Sequence, residues 1–581
     1  MRAVRLVMAC AVLGAATLPM SSAVASGGTG SLVNVANPSS PFPPSKAAEA
    51  AIAINPISTD MVVASAFDEA DEAPCGTPAA EATGICGFAH GVGTTGVYFS
   101  YDRGNTWTQP TYTGLTASSG TVKTGPIHTL PWYAESGLVS DGDAAVAFGP
   151  VPDSNGHFSW ANGARAYVGN LTSDLSSAPQ QEAFKGFESV AVSRIDNPTA
   201  ARITHQGNWF RPVLAVTHQS STAFEDKPQV WADNAQSSPF FGTAYACFAD
   251  FRAKSSFRNS NEPAPLFVSV SNDGGSTWRQ SQLNAAATNT QSQQGFGTSG
   301  CTIRTDSHGV AHLFALRFAA GTPAVATQVV FTSVDGGGSW SGPRPVLQVN
   351  DACFVFDSVE GRCVSDGIAG SRIDLAPAPS VDIANGAPSG ADATNEIVDT
   401  WVDGRAGLNH EQVMLSFSTD GAHSFSTPSV IAGPGRGFYA APAIAPDGSA
   451  VYVASSWLLA DYQNNTSAPR PEVNTLQRSA LGANGAPTGW STPVTGLAGD
   501  LRSASANGLR SEFSGDYNYA SAVRSYGVGI WTADARNAAD CSAIDAYRAS
   551  LYTPSPLPKP NPATSCPATF GNIDIFDGTT G

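Results

Sequence analysis

Three segments of the sequence close an apolar stretch with an aspartate and an arginine two residues apart: FADFR (248–252), WVDGR (401–405) and TADAR (532–536). The guanidinium groups of Arg405 and Arg536 offer planar forks of N–H donors that fit a carboxylate or a pair of sugar hydroxyls. Asp403 and Asp534 either share such a site or pair with the arginines and brace their own loops. A fourth segment, RSEFSGDYNY (510–519), gathers Arg510, Glu512, Asp516 and Tyr517. With Arg372, Asp374 and Tyr439 these residues supply both charge signs and phenolic hydroxyls, the groups that hold a polyhydroxylated or carboxylated solute. Other chemistry is thin. His308 and His312 share a four-residue spacing but lack the His-Glu-x-x-His pattern of a zinc site. Asp68, Glu69, Asp71 and Glu72 carry the oxygen ligands that calcium favours, yet an exposed acidic loop accounts for them more simply. No metal or other cofactor is expected. There is no Gly-Lys-Ser/Thr phosphate loop and no serine-nucleophile elbow.

The elements that must position these groups announce themselves through a repeat. SYDRGNTW (100–107), SNDGGSTW (271–278), SVDGGGSW (333–340) and STDGAHSF (418–425) are variants of one polar, glycine-rich turn. Recurrence over tens of residues marks a repeat architecture. Around the last copy, APSVDIA (378–384), EIVDTWVD (396–403), QVMLSFST (412–419) and SFSTPSVI (424–431) read as a four-stranded antiparallel meander, the blade of a β-propeller. The chain divides into seven such blades at 47–115, 136–195, 203–285, 296–346, 366–432, 438–497 and 508–578, with six as the alternative. The last shows only three strands, and SLVNVAN (31–37) is positioned to supply the fourth and close the ring.

The turns resemble the Asp boxes, or BNR repeats, of sialidase-like β-propellers. Three copies match closely: Ser100, Asp102, Gly104 and Trp107; Ser271, Asp273, Gly275 and Trp278; Ser333, Asp335, Gly337 and Trp340. The fourth keeps Ser418 and Asp420 but has Ala422 for glycine and Phe425 for tryptophan. The aspartate can accept N–H bonds across the turn, glycine permits a positive φ, and the aromatic can tuck between sheets. The boxes therefore read as structural staples. The resemblance implies that the opposite face carries function. There, in the family, three arginines clamp a sugar carboxylate, an aspartate serves as acid/base, and a tyrosine helped by a glutamate is the nucleophile. Asp516, Tyr517 and Glu512 have the matching types. The family's leading arginine has no counterpart, because no arginine occurs between Arg5 and Arg103 and the nearest motif-like string is FRP at 210–212. The resemblance thus implies a propeller that acts on or binds glycans, an exo-glycosidase being one form. A non-catalytic carbohydrate- or protein-binding propeller is the alternative.

Strand order puts second-to-third-strand loops and blade links on the face opposite the boxes, and there the chain is elaborated. Residues 1–25 read as a cleaved secretory leader, 26–46 as a segment with the closing strand, and 47–581 as one propeller domain. An exported chain with eight remaining cysteines is expected to oxidise them. Locality favours Cys75–Cys86, Cys353–Cys363 and Cys541–Cys566, leaving Cys247 with Cys301. Losing two leader arginines takes the formal charge from −17 to −19, which excludes phosphate-backbone recognition by a basic surface. The expectation is an extracellular monomer without a membrane span.

Overall fold

The computed structural model describes residues 28–82, 84–176, 188–216, 223–252, 265–284, 298–318 and 325–581. The leader lies outside the described residues. Seven antiparallel sheets are arranged as a β-propeller, and helices are few and short. Blade 6 shows the plan: Arg436–Ile444 is innermost, followed outward by Ala450–Leu458, Pro471–Leu481 and Pro487–Thr495.

Composition explains the radial order. Inner strands converge on the axis and must be slim, as in AAEAAIAI (Ala47–Ile54) and YASA (Tyr519–Ala522). Second strands are covered on both faces and read as continuous buried runs, as in VVASAFD (Val62–Asp68), AVYVASSWL (Ala450–Leu458) and GVGIWTA (Gly527–Ala533). The cores lie between neighbouring blades. Val398, Val402, Val413 and Leu415 of blade 5, for example, pack on Phe438, Val451, Val453 and Trp457 of blade 6.

The ring closes as the sequence suggests. Ser31–Leu32 pairs with Asp574–Thr579 as the outermost strand of blade 7. The second blade departs from the sequence reading. It comprises Ala145–Pro152, Phe158–Asp174, Ser189–Asp196 and Trp209–Leu214, so the FRP string belongs to its outer strand and blade 3 begins with Ala223–Ala232. Its second strand, Phe158–Asp174, is 17 residues long and shifts register where Pro150 pairs with Ala164 and Val151 with Ser159, so the regular strand-and-turn spacing is lost there. All four expected disulfides, Cys75–Cys86, Cys247–Cys301, Cys353–Cys363 and Cys541–Cys566, are present. No helix among the described residues is long and apolar enough to cross a membrane.

The four repeated turns share one geometry. In each, the serine hydroxyl donates to the aspartate at 2.8 Å. In each, the aspartate also accepts both the N–H and the hydroxyl of the residue four positions on, Thr106, Thr277, Ser339 and Ser424, and Asp273 accepts the Ser276 N–H as well. Hydroxyl and N–H donation from Ser339 and Ser424 draws Asp335 and Asp420 down to about 2. At Asp102 and Asp273 burial pulls upward, but the threonine and serine bonds outweigh it and both are lowered. The turn aromatics pack at the interface with the preceding blade. Trp107 donates to Asp577 of blade 7 at 3.2 Å, and Phe425 meets Phe314 of blade 4 edge-on. Glycine is required where that blade comes close: a Cβ on Gly337, at φ 82°, would stand 2.7 Å from Val270. Blade 5 has room for a methyl group, and Ala422 fills it at φ 64°.

The acidic run is not an exposed loop. Asp68, Glu69, Asp71 and Glu72 are all buried. Asp68 accepts from Tyr98, Asn37 and Gln109; Glu69 pairs with Lys46 at 2.8 Å; Asp71 accepts from Thr129; and Glu72 accepts the Ala89 N–H. Buried carboxylates need such partners, and here the chain supplies them internally.

Candidate functional site

The inner strands begin at the face opposite the repeated turns, and several begin irregularly. Blades 1, 3 and 4 carry bulges between Ala48 and Ala51, Asp226 and Gln229, and Ser299 and Thr302. The residues in the bulges, Glu49, Lys227 and Gly300, are left-handed at φ 57°, 56° and 62°; Asp143, just before the inner strand of blade 2, is at 48°. A bulge re-aims a side chain, and a left-handed non-glycine residue costs about 1–3 kcal/mol. The strain coincides with one cluster of charge.

At its centre is the ammonium of Lys227, 2.5 Å from Asp516, 3.1 Å from Asp143, 3.5 Å from Asp226 and 3.9 Å from Glu49. Arg372 pairs with Asp516 at 2.5 Å and with Glu49 at 3.0 Å. Blades 1, 2, 3 and 7 thus meet at one nitrogen, with the link into blade 5 adding the guanidinium. Tyr439 of blade 6 donates to the carbonyls of Arg372 and Gly515 at 2.6 and 2.9 Å. The ring of Tyr517 lies 5.9 Å from the Lys227 ammonium. Asp374, paired with Arg362 at 3.3 Å, stands at the margin.

Electrostatics splits these acids into two classes. Burial is the largest influence on each, and it pushes Glu49 well above the usual carboxylate range and Asp226 to about 7, although Lys227 partly offsets both. At Asp143 the Lys227 charge together with hydrogen bonds from Glu49 and Asp226 outweighs burial, and at Asp516 the Arg372 and Lys227 charges together do so, holding both below the ordinary value. At neutral pH proton-bearing carboxyls therefore stand beside ionised ones. Burial also lifts Tyr439 and Tyr517 well above the usual phenol range, so both are neutral donors.

Of the residues singled out from sequence, Arg372, Asp516, Tyr517 and Tyr439 come together in this basin. Glu512 lies in a separate buried knot, paired with Arg470 and 3.8 Å from Arg548. Arg510 is half exposed and binds the Val359 carbonyl at 2.6 Å and Glu360 at 3.4 Å. Arg405 makes a two-pronged pair with Asp403, 2.7 Å on each prong, which the Trp401 indole buttresses. Arg536 turns instead to Asp574, at 2.8 and 3.0 Å. Asp534 is buried close to Glu472, where burial raises it to about 7. Neither Asp-x-Arg pair is joined to Lys227 by an ion pair or hydrogen bond among the described residues. Glu49, Asp143, Asp226 and Lys227 were not foreseen. Their signal is a charged residue at the start of an otherwise apolar inner strand, as in SKAAEAAIAI and FEDKPQVW.

Hollows also lie along the inner strands and between blades 5 and 6. Down the axis, a cavity of about 200 Å³ is lined by Gln229, Trp231, Arg304, Asp382 and Tyr519. Between blades 5 and 6 a cleft of about 450 Å³ is walled by His410, Glu411, Arg436, Trp457 and Leu459.

No protein-family model and no curated protein matches this chain. Among solved structures, a Hadza microbial sialidase is similar at 13% identity and a TM-score of 0.38, over 70% of this chain and 63% of that one. A Burkholderia pseudomallei lectin is similar at 10% identity and a TM-score of 0.39, over 77% and 84%. A Fusarium graminearum α-L-arabinofuranosidase is similar at 10% identity and a TM-score of 0.36, over 77% of this chain and 94% of that one. At such scores the propeller rests on the strand pairing above.

Proposed function

We propose that this is a secreted, glycan-directed propeller whose basin binds a polyhydroxylated or acidic sugar and hydrolyses a glycosidic bond. The observation that supports it is the convergence of Glu49, Asp143, Asp226 and Asp516, from four blades, on the single ammonium of Lys227. Glycoside hydrolysis needs one carboxyl that gives a proton and a second that is ionised, and groups with separated titrations meet that need. Glu49 and Asp226 are suited to hold the proton, and Asp143 and Asp516 to stay charged. Arg372, one-fifth exposed, and the Tyr517 hydroxyl are suited to bind the sugar.

The test is release of fluorophore from a panel of aryl glycosides, with Glu49→Gln and Asp516→Asn as controls. Turnover of at least one glycoside, lost in both variants, is the expected result. Sialosides are expected to be poor substrates, because the leading arginine of the family's clamp is missing. A second reading, a non-catalytic binding propeller, draws support from the saturation of Lys227 by acids within 3.5 Å. Glycan binding without turnover of any glycoside would favour it, and neither binding nor turnover would overturn both.

A further inference from the structure

The Cys353–Cys363 disulfide staples a two-stranded ribbon, Val355–Asp357 against Arg362–Val364. Its side chains alternate. Asp357 is buried and accepts the Tyr552 hydroxyl, whereas Phe354 and Phe356 are 39% and 58% exposed. The ribbon is held at both ends. Arg510 binds the carbonyl of Val359 at its tip, and at its base Val364 bridges Arg372 while Arg362 pairs with Asp374. It is therefore an extension of the basin wall. On its other flank the Phe354 ring sits over Gly404, where a Cβ would lie 3.0 Å from it. The same loop continues through Arg405, 38% exposed, and Leu408, 39% exposed, to His410 and Glu411 in the wall of the blade 5–6 cleft.

We propose that this ribbon is a second sugar subsite and that the protein takes an oligosaccharide whose end occupies the basin. The inference rests on the glycan reading of the basin. Sugar rings present apolar C–H faces to aromatic surfaces and hydroxyls to a guanidinium. Phe354 and Phe356 supply the first and the neighbouring Arg405 the second. A fixed platform suits this role because little side-chain freedom is lost on binding.

The test is an array of glucan, xylan, chitin, galactan and polysialic fragments of graded length, read with the intact protein and two variants. In the native protein the signal rises with length for at least one series. Phe354→Ala/Phe356→Ala, with unchanged melting, removes about tenfold of the gain for longer chains and leaves the shortest unaffected. Asp516→Asn lowers the signal at every length. Length dependence unchanged in the double alanine variant would overturn the ribbon subsite and leave the basin standing. Full binding in Asp516→Asn would overturn the basin reading itself. Binding of no fragment by the native protein would overturn both.

Discussion

The two ends of the propeller use aspartate in opposite ways. In the repeated turns, Asp102, Asp273, Asp335 and Asp420 are held by hydroxyls and N–H groups within four residues, and all are lowered. In the basin, burial raises Asp226 to about 7, while the Lys227 and Arg372 charges brought in from elsewhere in the ring help hold Asp143 and Asp516 below the ordinary value. Local satisfaction gives four copies of one result. Assembly from distant segments lets identical side chains diverge, as acid/base chemistry requires.

The comparison can be broken most severely at Lys227. Removing one partner from a buried charge cluster typically costs about 3–5 kcal/mol, and Lys227→Ala should approach that at pH 7. Denaturant unfolding would show it, and the loss should shrink at acidic pH as the basin carboxyls take up protons. A loss that is the same at every pH would mean that Lys227 acts through packing alone.

The pH profile of the native protein comes next. Burial raises Asp68 to about 6 and Asp226, Asp233, Asp534 and Glu396 to about 7. Between about pH 4 and 7 the folded chain therefore holds more protons than the unfolded chain, and stability falls as pH rises. The turn aspartates act in the other direction: their contribution is complete above about pH 4 and is lost as pH drops towards 2. Thermal melting should therefore peak near pH 4–5. A peak at neutrality would contradict the raised carboxyls.

Smaller effects sharpen the contrast. Ser271→Ala removes hydroxyl bonds to Asp273 and to the Gly275 N–H and should cost about 1–2 kcal/mol without touching ligand binding. Arg405→Ala breaks a partly exposed pair with Asp403 and should cost less than about 1 kcal/mol. If it instead unfolds the protein, the Asp-x-Arg pair is a brace. Calorimetry and the array read both.

The same contrast explains what the sequence revealed. The turns were legible because Ser, Asp and their partners lie within one octapeptide, so spacing carries the whole geometry. The closing strand and the disulfides were legible from count and locality. The basin was legible only in part: Arg372, Asp516, Tyr517 and Tyr439 stood out by type, but Glu49, Asp143, Asp226 and Lys227 come from separate blades and meet them only once the ring is built. Arg536 shows the same limit: its Asp-x-Arg spacing matches that of Arg405, yet it pairs with Asp574 on a neighbouring strand. Blade 2 was misdivided because its 17-residue second strand, with a register shift opposite Pro150 and Val151, breaks the regular blade pattern.

The seam between Ser31–Leu32 and Asp574–Thr579 also sets an order of events. Ser31 pairs with Asp577, so the strand that completes the circle is made long before its partner. At about 5–20 residues per second the two are separated by roughly half a minute to two minutes. Throughout that interval the first strand has nowhere to dock, and the last blade lacks its outer edge until the two strands meet. Seam formation is therefore the step that should be most vulnerable to proteases and to pairing with a second molecule.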